Sequence, residues 1–550
     1  MTRFPCRILT VVLALGGAPG APAVQHHHAG GAEAPVAAGD LGSVHFPTSC
    51  APAVQKPFET GVALLHSFQY EQAESAFTDV ARGDASCAVA YWGEAMSLWH
   101  ELWDRPGEDT LKQGWADVEK AQQASAATER ERGYVAAAAA FYQQPTGASG
   151  LDYAARSEAY SKAMRKVHDE NGADGEAAAF YALSLLAIPA ANEEADLANR
   201  RAAIAILDPL FASQPNHPGA AHYLIHAADS PELASQGLAA ARAYAQIAPS
   251  SSHALHMPSH IFTRLGLWQD SIASNLASAA AAEKLSARHL DGASYELHAL
   301  DFLEYAYLQT GREAEARGVM ARVKSVPGAS DADRAGREAD FRARYEIELH
   351  HWQEASALQA PENTRPGWQV TTWWARAVGA ARSGDAAAAR QDLATLNRLR
   401  AQMASDNAGY EQVRVAKGAG KRPEKELDQQ EAEAWLAYAE GKGDDAVRMM
   451  RAAAEREESD GVDSLAMPAR EMLGDLLVEL KQPAPALTEY EAALQQSPDR
   501  FDGLYGAAQA AQLGGDSAKA KTYYAALMKV CDHTADRPEL REAKAFLAER

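Results

Sequence analysis

Histidine has the clearest chemical pattern in this 550-residue sequence. Two pairs are each spaced four residues apart, His222 with His226 and His256 with His260. Residues four apart lie on one face of a helix, so each pair would point two imidazoles in the same direction. The second pair follows the first by 34 residues, since 256 − 222 = 34 and 260 − 226 = 34. This constant offset predicts that the pairs occupy equivalent places in consecutive repeats, which stack side by side.

The elements that position these histidines are predicted to be helices throughout. From about residue 56 the apolar residues recur with helical spacing, and no alternating pattern typical of strands competes with them. Near the C-terminus, Ala486, Tyr490 and Ala493 recur 34 residues later as Ala520, Tyr524 and Leu527. Together with Leu473-Gly474 this pattern resembles the tetratricopeptide repeat, in which small residues let two paired helices approach. We therefore predict an all-α fold, a tetratricopeptide-like α-solenoid.

A second resemblance lies in the histidine segments themselves. The runs ending in Tyr-Leu-Ile-His (223–226) and His-Met-Pro-Ser-His-Ile-Phe-Thr-Arg-Leu-Gly-Leu-Trp (256–268) resemble a group of exported bacterial tetratricopeptide proteins. Residues 46–50 and 90–96 are similar to the same group. The resemblance implies the fold and export, and it carries no established activity.

The tetratricopeptide resemblance also extends the histidine group. It implies that positions 2, 5 and 9 of the first helix of each repeat line a concave groove. In this register three neighbouring helices direct seven side chains into one cavity: His222, His226, His253, His256, His260, His298 and Asp301. Tyr305 takes position 9 of the last unit. Pro258 either kinks its helix or marks the first turn, and in the second case His253 and His256 would lie on the entering loop.

Converging imidazoles with one carboxylate are a ligand set for Zn, Cu, Fe or Mn. We expect His226, His256 and His260 to be the core ligands. Two alternatives stay open, a metal-free binding pocket and a structural network of hydrogen-bonded imidazoles. Tyr223 follows His222 where the His-Glu-x-x-His motif has its glutamate, which argues against a zinc peptidase of that type. The residues do not select between metal-dependent catalysis and metal handling, nor decide whether the protein is an enzyme.

Further candidates for the groove are aromatic or histidine side chains that would contact a partner: His66, Trp92, Trp99, His100 and Tyr305. An aromatic patch there would suit a peptide or small molecule, although packing of large side chains inside the solenoid is the favoured interpretation. The alternative function is accordingly a non-catalytic scaffold that binds a peptide or protein in the cell envelope. Asp229-Ser230-Pro231-Glu232 is predicted to be a helix junction with a capping role and no chemistry.

Export is predicted from residues 1–23, in which Arg3 and Arg7 precede a short apolar run and Ala21-Pro22-Ala23 suits cleavage. No later segment is apolar enough to span a membrane, so we expect a soluble periplasmic or extracellular protein. The net charge of −22 argues against nucleic acid as a partner. In an oxidising compartment Cys50 and Cys87 would either pair, leaving Cys531, or remain reduced in a helical core.

The predicted organisation has four parts after the signal peptide. Residues 24–55, with His26-His27-His28, are expected to be a disordered leader that could gather metal. Degenerate repeats follow over 56–402, a polar linker over 403–428, and the C-terminal repeats over 429–550. A connection-rich stretch at 104–175 is expected to interrupt the first array.

Overall fold

The structure is a computed structural model. It describes residues 38–102, 105–124, 128–143, 153–190, 192–288, 290, 292–362, 364–406, 426–461, 465–531, 535 and 537–548. The predicted signal peptide, His26–His28 and most of the predicted linker lie outside these residues.

The described residues form α-helices joined by short turns, after a 3₁₀ turn at Ala38–Leu41. The first part contains α1 (Pro52–His66), α2 (Tyr70–Gly83), α3 (Ala88–Ser97), α4 (Glu108–Gln123), α5 (Glu129–Tyr142), α6 (Tyr153–Glu170), α7 (Gly175–Leu186) and α8 (Glu193–Ser213). The central part contains α9 (Pro218–Ala228), α10 (Ala234–Ile247), α11 (Ser252–His256), α12 (Pro258–Arg264), α13 (Trp268–Ser286), α14 (Ala293–Gln309), α15 (Glu313–Val323), α16 (Asp331–Glu348), α17 (Trp352–Ser356), α18 (Gly367–Arg382) and α19 (Ala386–Asp406). The last part contains α20 (Leu427–Ala439), α21 (Gly443–Asp460), α22 (Ala469–Glu479), α23 (Pro483–Gln496), α24 (Phe501–Leu513), α25 (Ser517–Val530) and α26 (Pro538–Ala548).

Successive helices pack on each other in pairs, with the small residues that the repeat pattern predicted at their contacts. Tyr490 of α23 is buried where α22 and α24 approach it. A Cβ added at Gly474 or Gly506 would come within 2.8 Å and 2.4 Å of the Tyr490 ring. Only glycine permits this approach at both helices. The prediction of an all-α tetratricopeptide-type solenoid is confirmed, and no strand occurs among the described residues.

The expected disordered leader is wrong for the part that the structure describes. Leu41 and Phe46 are fully buried, and the Phe46 ring packs on Phe58, Trp92 and Tyr134. The backbone N–H of Ser43 donates to Asn216 O at 2.8 Å. Apolar side chains therefore hold this segment on the solenoid although its Gly- and Pro-rich composition is typical of disorder.

Two other predicted boundaries are also changed. Helices α4, α5 and α6 occupy much of the stretch at 104–175, which therefore continues the helical array. The expected linker at 403–428 begins inside α19, which runs to Asp406, and residues 407–425 are not described.

Cys50 and Cys87 form a disulfide that joins the segment before α1 to the start of α3. This resolves the alternatives that the sequence left open, while Cys531 lies buried elsewhere. None of the described helices has both the length and the apolar character that crossing a membrane requires.

Candidate metal centre

Four helices of the central part carry the central histidines. His222 and His226 lie on α9, His253 and His256 on α11, His260 on α12 and His298 on α14. Pro218 opens α9, and the side chain of Ser251 caps α11 by accepting from Ala254 N at 3.2 Å. Pro258 opens α12, which confirms the interpretation that it marks a first turn. His253 and His256 lie on a short helix of their own, where we expected a loop.

The six imidazoles separate into two groups of three, which we call triad A (His222, His226, His253) and triad B (His256, His260, His298). In each triad, one ligand atom per residue lies within 4.8 Å of the others. In triad A, His222 Nε2 lies 3.0 Å from His253 Nε2 and 3.1 Å from His226 Nε2. In triad B, His256 Nε2 lies 3.0 Å from His260 Nε2. The predicted convergence of the six histidines is therefore present.

Three of these rings are oriented through Nδ1 by oxygen acceptors. His222 Nδ1 lies 2.6 Å from the backbone O of His66, and His260 Nδ1 lies 2.9 Å from Asp229 Oδ2. His256 Nδ1 lies 2.7 Å from Asn275 Oδ1, whose amide nitrogen donates to Ser271 O. None of these oxygens carries a proton, so each Nδ1 must be the donor. In the neutral imidazole, Nε2 then holds a lone pair that points into its triad.

Five of the six triad imidazoles are held neutral. Burial, as the largest cause, lowers the pKa of His222 and of His298 to about 3. Burial followed by the neighbouring histidines lowers the pKa values of His226, His253 and His256 well below their usual range. Protonating one ring would place a charge in a dry cluster beside other imidazoles. Two neutral rings that both donate through Nδ1 have no proton left for an Nε2 contact between them.

The contact between His256 and His260 is the clearest example of such a missing proton. Both rings donate through Nδ1, so in their neutral forms two Nε2 lone pairs face each other across 3.0 Å. Two lone pairs cannot form a hydrogen bond, and they repel each other. A cation between them removes the repulsion, and two imidazoles on one tetrahedral zinc-like ion have nitrogens about 3.3 Å apart. The separation is therefore close to that of two ligands of one ion.

Asp229 and Asn275 orient the ligand histidines, and sequence reasoning missed both roles. Besides His260, Asp229 accepts from Arg264 Nε at 2.9 Å. Burial alone would raise the pKa of Asp229, but Arg264 and His260 hold it well below its usual range, so it is ionised. A carboxylate on the far nitrogen of a ligand histidine fixes its tautomer and raises its basicity. The three-residue spacing from His226 to Asp229 was the available signal.

A third histidine group has a carboxylate between its imidazoles. His66, Glu176 and His217 are all buried, and their ligand atoms lie within 4.8 Å of one another. Glu176 is 2.7 Å from His66 Nε2 and 3.2 Å from His217 Nε2, so an anion stands between the two rings. His66 Nδ1 lies 2.9 Å from the Tyr223 hydroxyl, and His217 Nδ1 accepts from Ala220 N. We call this the Glu176 network, and its carboxylate provides the negative charge that the triads lack.

Asp301 does not belong to either triad. Its carboxylate accepts from Arg337 Nη1 at 2.9 Å and from Arg344 Nη2 at 2.7 Å. Both arginines lie on α16, and they occupy the two oxygens that a metal would need. Asp301 is near enough to raise the pKa of His298 by its charge, although burial dominates and the net shift is downward. The structure thus places it as an ion-pair partner beside triad B.

The residues predicted to contact a partner in the groove are mostly in the core. Trp92 and Trp99 are fully buried, and His66 belongs to the Glu176 network. Tyr305 is buried and its hydroxyl contacts Arg500. His100 is half-buried and stacks on Tyr70 with 4.1 Å between ring centroids. The partner role is therefore wrong for the buried residues, and the favoured interpretation of internal packing is confirmed for them.

No protein-family model and no curated protein matches the chain. Among solved structures, it is similar to a tetratricopeptide repeat protein from Parabacteroides merdae (14% identity, 54% of this chain and 98% of that one, TM-score 0.27). It is also similar to Cut9 with Hcn1 of the APC/C (12% identity, 90% and 89%, TM-score 0.30). The human IFIT1 dimer with m7Gppp-AAAA is 12% identical over 81% of this chain and 90% of its own, with a TM-score of 0.34. The fold assignment rests on this chain's own helix pairs.

Proposed function

We propose that this protein binds transition-metal ions in its six-histidine cluster and uses the solenoid to hold the ligands in place. The observation that carries the proposal is the 3.0 Å separation of the His256 and His260 Nε2 atoms in triad B, whose rings both donate outward through Nδ1. The acceptors at Nδ1 fix the orientation of these rings, so both Nε2 atoms are directed at one point between them. A bound cation would make the same arrangement favourable.

The donor set favours Cu or Zn among the four metals considered. Both triads offer neutral imidazole nitrogens, and Asp301 is held by arginines. Carboxylate-poor nitrogen sites suit Zn, Cu, Fe and Ni, whereas Mn prefers oxygen ligands. Affinity for such sites rises along the divalent series to Cu, which makes Cu the first choice.

An accessible edge favours chemistry at the metal over a purely structural role. His226, His260 and His298 are partly exposed, whereas His222, His253 and His256 are buried. Three protein ligands leave a coordination position for water or a substrate, as in catalytic metal sites. Metal-dependent catalysis or metal handling would both use this edge, and no reaction is assigned.

The test is elemental analysis of untagged full-length protein, compared with a His256→Ala/His260→Ala double variant. We expect bound Cu or Zn in the wild type and a clear loss in the double variant, while the exposed His351→Ala variant keeps its metal. Replacing His26–His28 by alanine controls for metal gathered by the leader. Wild-type protein that contains no metal and binds no added Cu, Zn, Fe or Mn would refute the proposal.

The proposal also includes export of the protein from the cytoplasm. The signal-like residues 1–23 support it, and the Cys50–Cys87 disulfide suits an oxidising compartment. Cell fractionation with mass spectrometry of the mature N-terminus should find the chain outside the cytoplasm, beginning near Val24. A full-length chain that retains residues 1–23 in the cytoplasm would contradict this part.

A scaffold that binds a peptide or protein is the second candidate, favoured by the tetratricopeptide-type fold. Such a role would use the surface of the solenoid, since Trp92 and Trp99 are in the core. Co-purification from the exported fraction should then recover a defined partner, with metal-depleted protein retaining it. Recovery of no partner under either condition would count against the scaffold.

A further inference from the structure

The two triads are equivalent half-sites in the repeat architecture. His222 and His226 are followed after 34 residues by His256 and His260, and each pair receives one more imidazole, from His253 or His298. In each triad one nitrogen pair is 3.0 Å apart. Duplication of a ligand pair by the repeat therefore produces two similar three-nitrogen groups.

Each triad also contacts its own phenyl ring. The centroid of Phe68 lies 4.4, 5.6 and 5.5 Å from those of His222, His226 and His253. The centroid of Phe302 lies 4.8, 4.7 and 5.4 Å from those of His256, His260 and His298. Phe68 follows α1 and Phe302 lies on α14, so the match is not a consequence of the 34-residue repeat. In both half-sites, three imidazoles thus pack against one phenyl ring.

The backbone at Phe68 is strained in a way that supports a specific role for its ring. Phe68 has φ of +54°, and its N–H donates to Leu65 O in the turn after α1. Gly266 and Gly311 occupy the matching turns after α12 and α14, with φ of +67° and +70°. A bulky residue in this left-handed region is strained. The contacts of Phe68 with triad A, and the hydrogen bond from the Tyr295 hydroxyl to Phe68 O, offset that strain.

The triads adjoin each other. Ring centroids of His226 and His260 are 6.4 Å apart, and those of His253 and His256 are 6.3 Å apart. These separations are close to the longest ones inside the triads, 6.2 Å for His226 with His253 and 5.9 Å for His260 with His298. One ion binds three or four nitrogens at about 2.0–2.1 Å, so it cannot use all six rings. Two ions, each held by three rings, use every ligand.

Resting on the proposed function, we infer that the cluster is a paired metal centre, with one copper ion in triad A and one in triad B. Nitrogen-only ligation and the divalent affinity order select copper. Each ion keeps an open position, and the partly exposed edge formed by His226, His260 and His298 lets a small anion reach both ions. A bridging ligand there would couple them, as in two-metal sites with ions about 3.5–4 Å apart.

The experiment loads untagged full-length protein with Cu(II) and measures copper per chain together with the electron paramagnetic resonance signal. We expect two copper ions per chain and a signal much weaker than the copper content, because coupled Cu(II) ions cancel each other's magnetism. Added azide should give one new absorption band that saturates at one azide per copper pair. The His26–His28→Ala variant should behave like the wild type.

Variants of a single triad separate this inference from the proposed function. His298→Ala should retain one copper per chain and regain the full resonance signal of an isolated ion, whereas His351→Ala should match the wild type. Circular dichroism checks folding, and His253→Gln provides a second variant for the opposite triad. One copper per wild-type chain, or two with full signal intensity, would overturn the pair while leaving metal binding intact. Absence of bound copper would also overturn the copper pair, and absence of Zn, Fe and Mn as well would refute the proposed function.

Discussion

The triads and the Glu176 network both bring buried histidines close together, and they differ in what lies between the imidazoles. In the Glu176 network a carboxylate lies 2.7 Å from His66 Nε2 and 3.2 Å from His217 Nε2. In triad B, two imidazoles that donate outward through Nδ1 approach each other through Nε2 without a carboxylate between them. Proximity of buried histidines is therefore a weak sign of a metal. The better sign is a set of nitrogen atoms that are directed at one point with no carboxylate among them.

The largest expected effect of this difference is acid sensitivity of the metal-free protein. In the unfolded chain an imidazole gains a proton near pH 6.5, whereas burial lowers the pKa of folded His222 and His298 to about 3. The unfolded state then binds more protons below pH 6.5, so stability falls as the pH drops from 6.5 towards 3 and is unaffected above it. Each such imidazole costs up to about 1.4 kcal/mol per pH unit.

Urea unfolding of chelated protein at a series of pH values measures this slope. His222→Gln/His253→Gln, which removes two of the buried imidazoles, should flatten it. A midpoint that stays constant from pH 6.5 to pH 5 would contradict neutral triads.

Removing the Glu176 carboxylate should destabilise the Glu176 network and leave metal binding by the triads unchanged. Glu176→Ala leaves the Nε2 atoms of His66 and His217 buried without their acceptor. Breaking a buried ionic contact in this way costs about 3 kcal/mol of stability. Metal per chain should be unchanged in the folded fraction. The exposed Glu170→Ala is the matched control, and a large metal loss in Glu176→Ala alone would assign that network to the metal site.

Chelation should act on the triads only. A ligand present at about 100 times its dissociation constant stabilises the folded state by about 2.7 kcal/mol. A strong chelator should therefore lower the melting temperature of wild-type protein and of Glu170→Ala. His256→Ala/His260→Ala should respond less, because triad B is lost. Equal shifts in all three proteins would place the metal outside triad B.

The smallest effect is expected from the carboxylate that orients His260. Asp229→Asn keeps the size and an oxygen acceptor for His260 but removes the charge. Loss of such a partner weakens metal affinity by about 10- to 100-fold. Competition with a chelator of known affinity measures this, with the exposed Asp79→Asn as control. Unchanged affinity would mean that geometry alone positions His260.

The sequence predicted the parts of the cluster that follow from periodicity. The 34-residue offset placed His222, His226, His256 and His260 together, and the repeat register added His298. Asp301 shared that register but is held by Arg337 and Arg344 of the next repeat, whose ion pairs no spacing reveals. Phe68 contacts triad A although the two are far apart in the sequence. Asn275, which accepts from His256, lies on the second helix of its repeat. Such contacts depend on how repeats stack, and the offset carries no information about them.

The fold could be predicted because the repeat pattern specifies the contacts between neighbouring helices. Tyr490 with Gly474 and Gly506 shows the local contact that the repeat pattern encodes. Phe46, by contrast, packs on three rings from distant helices, and its Gly- and Pro-rich surroundings gave no sign of it.

X-ray absorption spectroscopy of untagged, copper-loaded protein tests the central claim most directly, because it reports the ligands of the bound metal. The account predicts about three nitrogens per ion at about 2.0 Å, with the outer-shell scattering that imidazole rings produce. A first shell dominated by oxygen or sulfur would contradict it.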